Sequence, residues 1–191
     1  MNTDGFTRAL AQFFGVLKEM QVDAPAKPSA SGEEGLQHAL TLLRDAQQRG
    51  SCVYLIGNGG SAAIVAHVQN DLVKKARMRA HVLHESSMLT CMSNDYGYEH
   101  AYAEMLERFL KPQDVLIAVS SSGRSSNILK AIEVAHARGA HTVTLSGFSP
   151  DNPLRAGGHV NVWLPSHDYG DVEVGHQLVL HYLSDALADA I

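Results

Sequence analysis

Two turns of small polar residues occur in the same local setting. Gly57-Asn58-Gly59-Gly60-Ser61 follows the apolar run Cys52-Val53-Tyr54-Leu55-Ile56, and Ser120-Ser121-Ser122-Gly123-Arg124-Ser125 follows Asp114-Val115-Leu116-Ile117-Ala118-Val119. Each turn opens a helix-like segment. The apolar runs show no alternation, which fits strands buried on both faces, as in a parallel sheet covered by helices. Thr142–Leu145, Val160–Leu164 and Ala80–Leu83 read as three more strands. Helical patterns span Ser61–Ala76, Tyr98–Leu110 and Ser125–Arg138, the last closed by Gly139. The expected fold class is α/β, a three-layer αβα sandwich around a parallel five-stranded sheet.

The same turns bear on function. Glycine allows close backbone approach to a ligand, and the unpaired N–H groups of a helix's first turn point at any anion placed there. Two such turns on strands of one sheet converge at its carboxyl edge, where open α/β sheets bind ligands. A phosphorylated small molecule is the expected occupant. The formal net charge of −5 argues against nucleic acid as partner and gives an anionic ligand no help from the overall field, so local donors must hold it. No apolar run approaches the ~20 residues of a membrane helix, and no basic signal region opens the chain, so a cytoplasmic protein without a membrane partner is expected. Cys52 and Cys91 lack metal or redox spacing and read as buried free thiols.

The first fifty residues differ in character. Phe6, Leu10, Phe13, Phe14, Leu17 and Met20 form a helical stripe, and Val22–Ser31, rich in Pro, Ala and Ser, reads as a connector. A second helix is expected from Ser31, with Glu34 completing a capping box and Leu36, Ala39, Leu40, Leu43 and Ala46 on one face. Residues 1–50 are therefore expected to form a helical oligomerisation segment and residues 51–191 the sheet domain. A helix carrying three phenylalanines packs either on its own sheet or against a second subunit, and the long connector favours the second subunit.

Acid–base and metal-ligand candidates fall on two helices. His67 and Asp71 are four residues apart and share a face, as do Glu173, Gln177 and His181 near the carboxyl terminus. An imidazole and a carboxylate from each helix suit a tetrahedral Zn²⁺ or a proton-transfer pair. Taken alone, each pair also fits a solvated helix face in a chain with eleven histidines. His84, His100, His136, His141, His159 and His167 take that second reading, and His176 stays open.

With these residues in view, the chain resembles the sugar isomerase (SIS) domain family and, within it, the phosphoheptose isomerases. The resemblance rests on Gly57–Ala63 with His67, on Asn94-Asp95-Tyr96-Gly97-Tyr98-Glu99, on Ser120–Asn127 followed by Ile128-Leu129-Lys130-Ala131, and on Gly175-His176 with His181. It implies that Ser120, Ser121, Ser122 and Ser125 hold the substrate phosphate. It also implies that Asn58 and Ser61, with Gly59 in their turn, and Asp95 contact the sugar, with Lys75 where the family usually has arginine. His67, Asp71, Glu173 and His181 fall at the positions of the family's zinc ligands and acid–base groups. A homotetramer with its sites where subunits meet is implied as well. The implied reaction interconverts sedoheptulose 7-phosphate and D-glycero-D-manno-heptose 7-phosphate. The chain departs from the family pattern at Asp71 for glutamate, Glu173 for glutamine, Arg124 for asparagine, and Gly170 for a polar residue. Those departures leave two alternatives: isomerisation of another sugar phosphate, or a non-catalytic sugar-phosphate sensor or tetrameric adaptor.

Overall fold

The computed structural model describes residues 5–24 and 32–189. Its centre is a six-stranded sheet. In chain order the strands are β1 (Gln21–Asp23), β2 (Cys52–Gly57), β3 (Arg79–Val82), β4 (Val115–Ser120), β5 (His141–Ser146) and β6 (Val160–Trp163), and in space they run β1-β6-β5-β4-β2-β3. All neighbours are parallel except β1, which pairs antiparallel with β6 through Val22 opposite Val162. The five strands expected from sequence are the parallel ones. The sixth corrects the reading of Val22 as connector: a three-residue edge strand is too short to show a periodicity. Val22 is nonetheless buried, and Arg155 hydrogen-bonds to both Gln21 and Asp23 to hold the strand ends.

The helices are α1 (Gly5–Lys18), α2 (Gly32–Arg49), α3 (Gly60–Lys74), α4 (Ser86–Tyr96), α5 (Ala101–Phe109), α6 (Ser126–Ala137) and α7 (Tyr169–Ala188). Strand side chains alternate between faces. On β4, Val115, Ile117 and Val119 join Leu40 and Leu43 of α2, Val65 and Leu72 of α3, and Leu180 and Leu183 of α7. Leu116 and Ala118 join Tyr102 and Met105 of α5 and Ile128 and Ile132 of α6 on the other face. Helix α2 thus belongs to the core of the sheet domain, with Ala39, Leu40, Leu43 and Ala46 buried as its periodicity requires. Its expected cap, Ser31, lies outside the described residues, as do the connector from 25 on and Ala190, where the helix carrying Glu173 and His181 is expected to end.

Helix α1 buries no residue. Phe6, Leu10 and Phe14 are exposed, and Gln12 Nε2 ties it to the body by donating to Asp171 Oδ2 at 2.8 Å. The outer side of α7 is also apolar at helical spacing, with Val174, Leu178 and Tyr182 exposed. Among the described residues, no helix is long and apolar enough to cross a membrane. Both cysteines are free; Cys52 is buried as expected, whereas Cys91 is exposed, because α4 lies with no fully buried residue.

The order of strands reverses between β2 and β4: β3 lies on one side of β2, and β4, β5 and β6 follow on the other. The crevice at the carboxyl ends of β2 and β4 is therefore the topological switch point, and both glycine-serine turns open onto it.

Candidate active site

A cleft of about 240 Å³ lies at that switch point. Asn58, Gly59 and Ser61 line it from the first turn, and Ser120, Ser121, Ser122 and Ser125 from the second. Neither α3, capped by Gly59, nor α6, capped by Ser125, has a side-chain hydrogen bond at its N-cap, so first-turn N–H groups are left for a ligand. The hydroxyls add to them. Ser121 Oγ is buried without a partner, and Ser120 Oγ lies 3.2 Å from Ser125 Oγ. Such a rim of hydroxyl and amide donors recognises oxyanions without needing a cation. The nearby Arg124 guanidinium is paired with Asp151 at 3.2 Å. A larger hollow of about 400 Å³ lies beside β3, walled by Met88, Met105 and Phe109. Tyr54, His81 and Glu85 also line it, but it lacks the hydroxyls and open helix starts of the two turns, so chemistry rather than size picks out the smaller cleft.

His67 and Asp71 on α3 meet His181 on α7. One ligand atom from each lies within 4.8 Å of the other two. The two imidazoles meet edge to face with centroids 4.9 Å apart. Asp71 Oδ2 is 2.9 Å from His181 Nδ1, yet it is a buried oxygen with no aligned hydrogen-bond donor. A buried carboxylate oxygen without a donor, beside two imidazole nitrogens, is a donor set suited to a divalent cation such as Zn²⁺. Lys75 Nζ holds the other carboxylate oxygen of Asp71 at 3.2 Å and Asp185 at 2.9 Å. Hydrogen bonds to Asp185 and then Asp71 push the Lys75 pKa up. Within one chain Lys75 thus faces carboxylates rather than the cleft.

Glu173 is not part of the His-Asp-His group. It lies eight residues before His181 on α7, about 12 Å at the helical rise of 1.5 Å per residue. Its carboxylate rests on Gly60, where a Cβ would collide with both Oε atoms, and it lines the cleft with the serine turn. A single chain therefore divides the four expected zinc ligands into a group of three and one residue in the cleft. Asp95 is exposed at the end of α4, with Asn94 and Cys91 as its contacts. His176 is a core residue: it is wholly buried, its Nε2 lies 3.0 Å from the Ser146 carbonyl, and burial pulls its pKa down to about 4. His136 and His141 meet His159 edge to face at the amino end of β5, opposite the cleft.

Tyr169, the first residue of α7, lines the cleft and escaped the sequence reading, although Asp168 before it is a recognisable N-cap. Asn127 and Tyr98 stood in the motifs without a role, and Tyr102 was given none either. Tyr102 OH donates to the Gly57 carbonyl at 2.7 Å and anchors the first turn from below, where burial raises its pKa. A long-range side-chain pairing of this kind leaves no periodic signature in a sequence.

The SIS domain family model matches residues 25–147. Phosphoheptose isomerase of Geotalea daltonii is 35% identical over 158 residues, covering 76% of this chain and 79% of that protein. The phosphoheptose isomerase of Klebsiella pneumoniae is 34% identical over 154 residues, covering 78% and 79%. Among solved structures, phosphoheptose isomerase GmhA from Neisseria gonorrhoeae superposes with a TM-score of 0.83 at 24% identity over 100% of both chains. The Vibrio vulnificus NanR protein complexed with ManNAc-6P does so with a TM-score of 0.69 at 17% identity, over 98% of this chain and 64% of that one. These last two are likenesses of fold.

Proposed function

The chain belongs to the SIS domain family, and from that premise we propose that it is a phosphoheptose isomerase, interconverting sedoheptulose 7-phosphate and D-glycero-D-manno-heptose 7-phosphate through an enediolate. The observation that carries this reading is the pairing of an oxyanion cleft, built from the turns that open α3 and α6, with an imidazole-carboxylate group on α3 and α7. The serine turn binds the phosphate. Asn58 and Ser61 face the sugar hydroxyls. Asp71 takes the proton from the carbon next to the carbonyl and returns it to the adjacent carbon of the enediolate, while His181, beside Asp71, moves the hydroxyl proton between the two oxygens. His67 donates toward the oxygen on which charge develops. His67, Asp71 and His181 would hold Zn²⁺, with Glu173 as the fourth ligand, and the ion would supply electrostatic stabilisation of that oxygen.

Helix geometry suggests that each complete site draws on two subunits. Asp71 lies eleven residues beyond Gly60 on α3, about 16 Å along the axis. A fully extended heptose phosphate spans about eight bonds, roughly 10 Å if each advances as an extended peptide backbone does. The phosphate cleft and Glu173 of one subunit would therefore be completed by His67, Asp71 and His181 of a neighbour. The exposed apolar stripes of α1 and α7 supply the surface for such an assembly. We infer a homotetramer in the cytoplasm, where two unpaired cysteines remain reduced.

The test is conversion of sedoheptulose 7-phosphate, followed by separating aldose from ketose, with and without a chelator. Product that disappears with chelation and returns with Zn²⁺ is expected. Glu173 where the family has glutamine favours one other reading, a sugar-phosphate sensor that binds without turnover. Tight binding with no product from sedoheptulose 7-phosphate or other ketose phosphates would establish that reading instead.

A further inference from the structure

Asn127 is buried to 2% exposure beneath the cleft, and its amide meets that of Asn58 face on. Asn58 Nδ2 donates to Asn127 Oδ1 at 2.9 Å, and Asn127 Nδ2 donates to Asn58 Oδ1 at 2.9 Å. An amide pair of this kind could sit either way round. Here the backbone decides it. Ile128 N–H, shared with the Ser125 carbonyl at 3.1 Å, meets the Asn127 amide at 3.0 Å, and an amide NH₂ there would set donor against donor, so the atom is oxygen. The Asn127 nitrogen then faces Asn58, and the Asn58 atom opposite must be oxygen too. Tyr98 OH, 2.7 Å from the same Asn58 oxygen, is thereby a donor.

The arrangement uses up the acceptor capacity of Asn58. Its carbonyl oxygen takes two hydrogen bonds, and one of its N–H groups is spent on Asn127. The second N–H has no protein partner among the described residues, and Asn58 lines the cleft. Three segments meet in this contact: the turn after β2, the first turn of α6 and the loop between α4 and α5. Resting on the isomerase reading above, we propose that Asn127 and Tyr98 are positioning residues that lock the Asn58 amide so that it serves the sugar only as a hydrogen-bond donor. The sugar oxygen at that point must accept, as a hydroxyl or a carbonyl oxygen does.

Two readouts test this. The first needs no activity: the ¹⁵N–¹H side-chain amide signals of Asn58 in the free protein. In Tyr98→Phe and in Asn127→Asp these signals should shift and their protons exchange faster with water; unchanged signals would overturn the lock. The second is kinetic. Removing an oriented hydrogen bond of this kind corresponds to about 3–10-fold in kcat/KM for Tyr98→Phe and about 10–100-fold for Asn127→Asp. Because both act through Asn58, neither should lower kcat/KM further in an Asn58→Ala background. Equal losses in both backgrounds would make them merely structural and refute the proposal. Tyr98 is half exposed, so its variant keeps the test open should Asn127→Asp not fold. A wild-type protein inert toward sedoheptulose 7-phosphate would count against the isomerase reading, and the amide signals would still judge the lock.

Discussion

Replacing Gly123 by alanine should separate backbone strain from steric conflict in the serine turn. Gly123 has φ +64°, and Gly50, at the end of α2, has φ +67°, so alanine meets nearly the same torsional penalty at both. That penalty is about 1–2 kcal/mol, offset by about 0.4–1 kcal/mol from the lower entropy of the unfolded alanine chain, leaving about 1 kcal/mol. The surroundings differ. A Cβ on Gly50 meets nothing within 4 Å, whereas one on Gly123 would overlap Oδ1 and Cγ of Asn152 and lie 2.8 Å from its Cβ. Asn152 cannot retreat cheaply. It is 2% exposed, its Oδ1 accepts from Arg155 N–H at 3.0 Å, and its Nδ2 donates to the carbonyls of Ser149 at 2.8 Å and Gly147 at 3.2 Å. Losing one or two of these bonds with their groups still buried adds about 2–4 kcal/mol. Gly50→Ala should therefore cost about 1 kcal/mol and Gly123→Ala about 3–5. For a chain of this size each kcal/mol is about 2–4 °C in Tm. Thermal and urea unfolding of both variants at one protein concentration measures the difference. Equal losses would refute the Asn152 conflict and leave only the backbone term.

Three further outcomes follow from the geometry. Burial lowers the His176 pKa from 6.5 to about 4, so between those values the unfolded chain binds a proton that the folded chain does not. Stability from this group is complete above pH 6.5 and falls as pH drops toward 4, by up to about 3 kcal/mol at about 1.4 kcal/mol per pH unit. A His176→Asn variant should flatten that part of the stability profile; an unchanged acid slope would locate the effect elsewhere. If each site joins the cleft of one subunit to Asp71 of another, mixing inactive Asp71→Asn chains with inactive Ser121→Asp chains should restore activity, whereas hybrids as dead as their parents would place the whole site in one chain. Replacing exposed Phe6 and Phe14 by serine should shift sedimentation toward smaller species, and an unaltered assembly would remove α1 from the interface.

The parallel strands were legible because burial on both faces writes an uninterrupted apolar run, as in Val115–Val119. The two turns that line the cleft were legible for a related reason: close backbone approach and open helix starts call for small side chains. Helix α4 and strand β1 were not. Helix α4 buries none of its residues and so has no strong periodicity, and its cap is Glu85, which accepts from Ser87 N–H and Met88 N–H and has its pKa lowered to about 2 by the Ser87 hydroxyl and those backbone bonds. Spacing placed His67, Asp71 and His181 on facing helices but did not say how far along α7 Glu173 would stand from them. Register between helices is set by packing, here α3 against α7, and no local pattern records it. The amide pair of Asn58 and Asn127 joins residues 69 apart in the chain and was legible only in three dimensions.

The central claim is proton transfer at C1 and C2 of a heptose phosphate, and its most direct measurement is proton NMR of sedoheptulose 7-phosphate incubated with the protein in D₂O. The account predicts deuterium entering the substrate at C1, aldose appearing, and both lost in Asp71→Asn. A protein that binds the sugar phosphate yet leaves its carbon-bound protons untouched would contradict it.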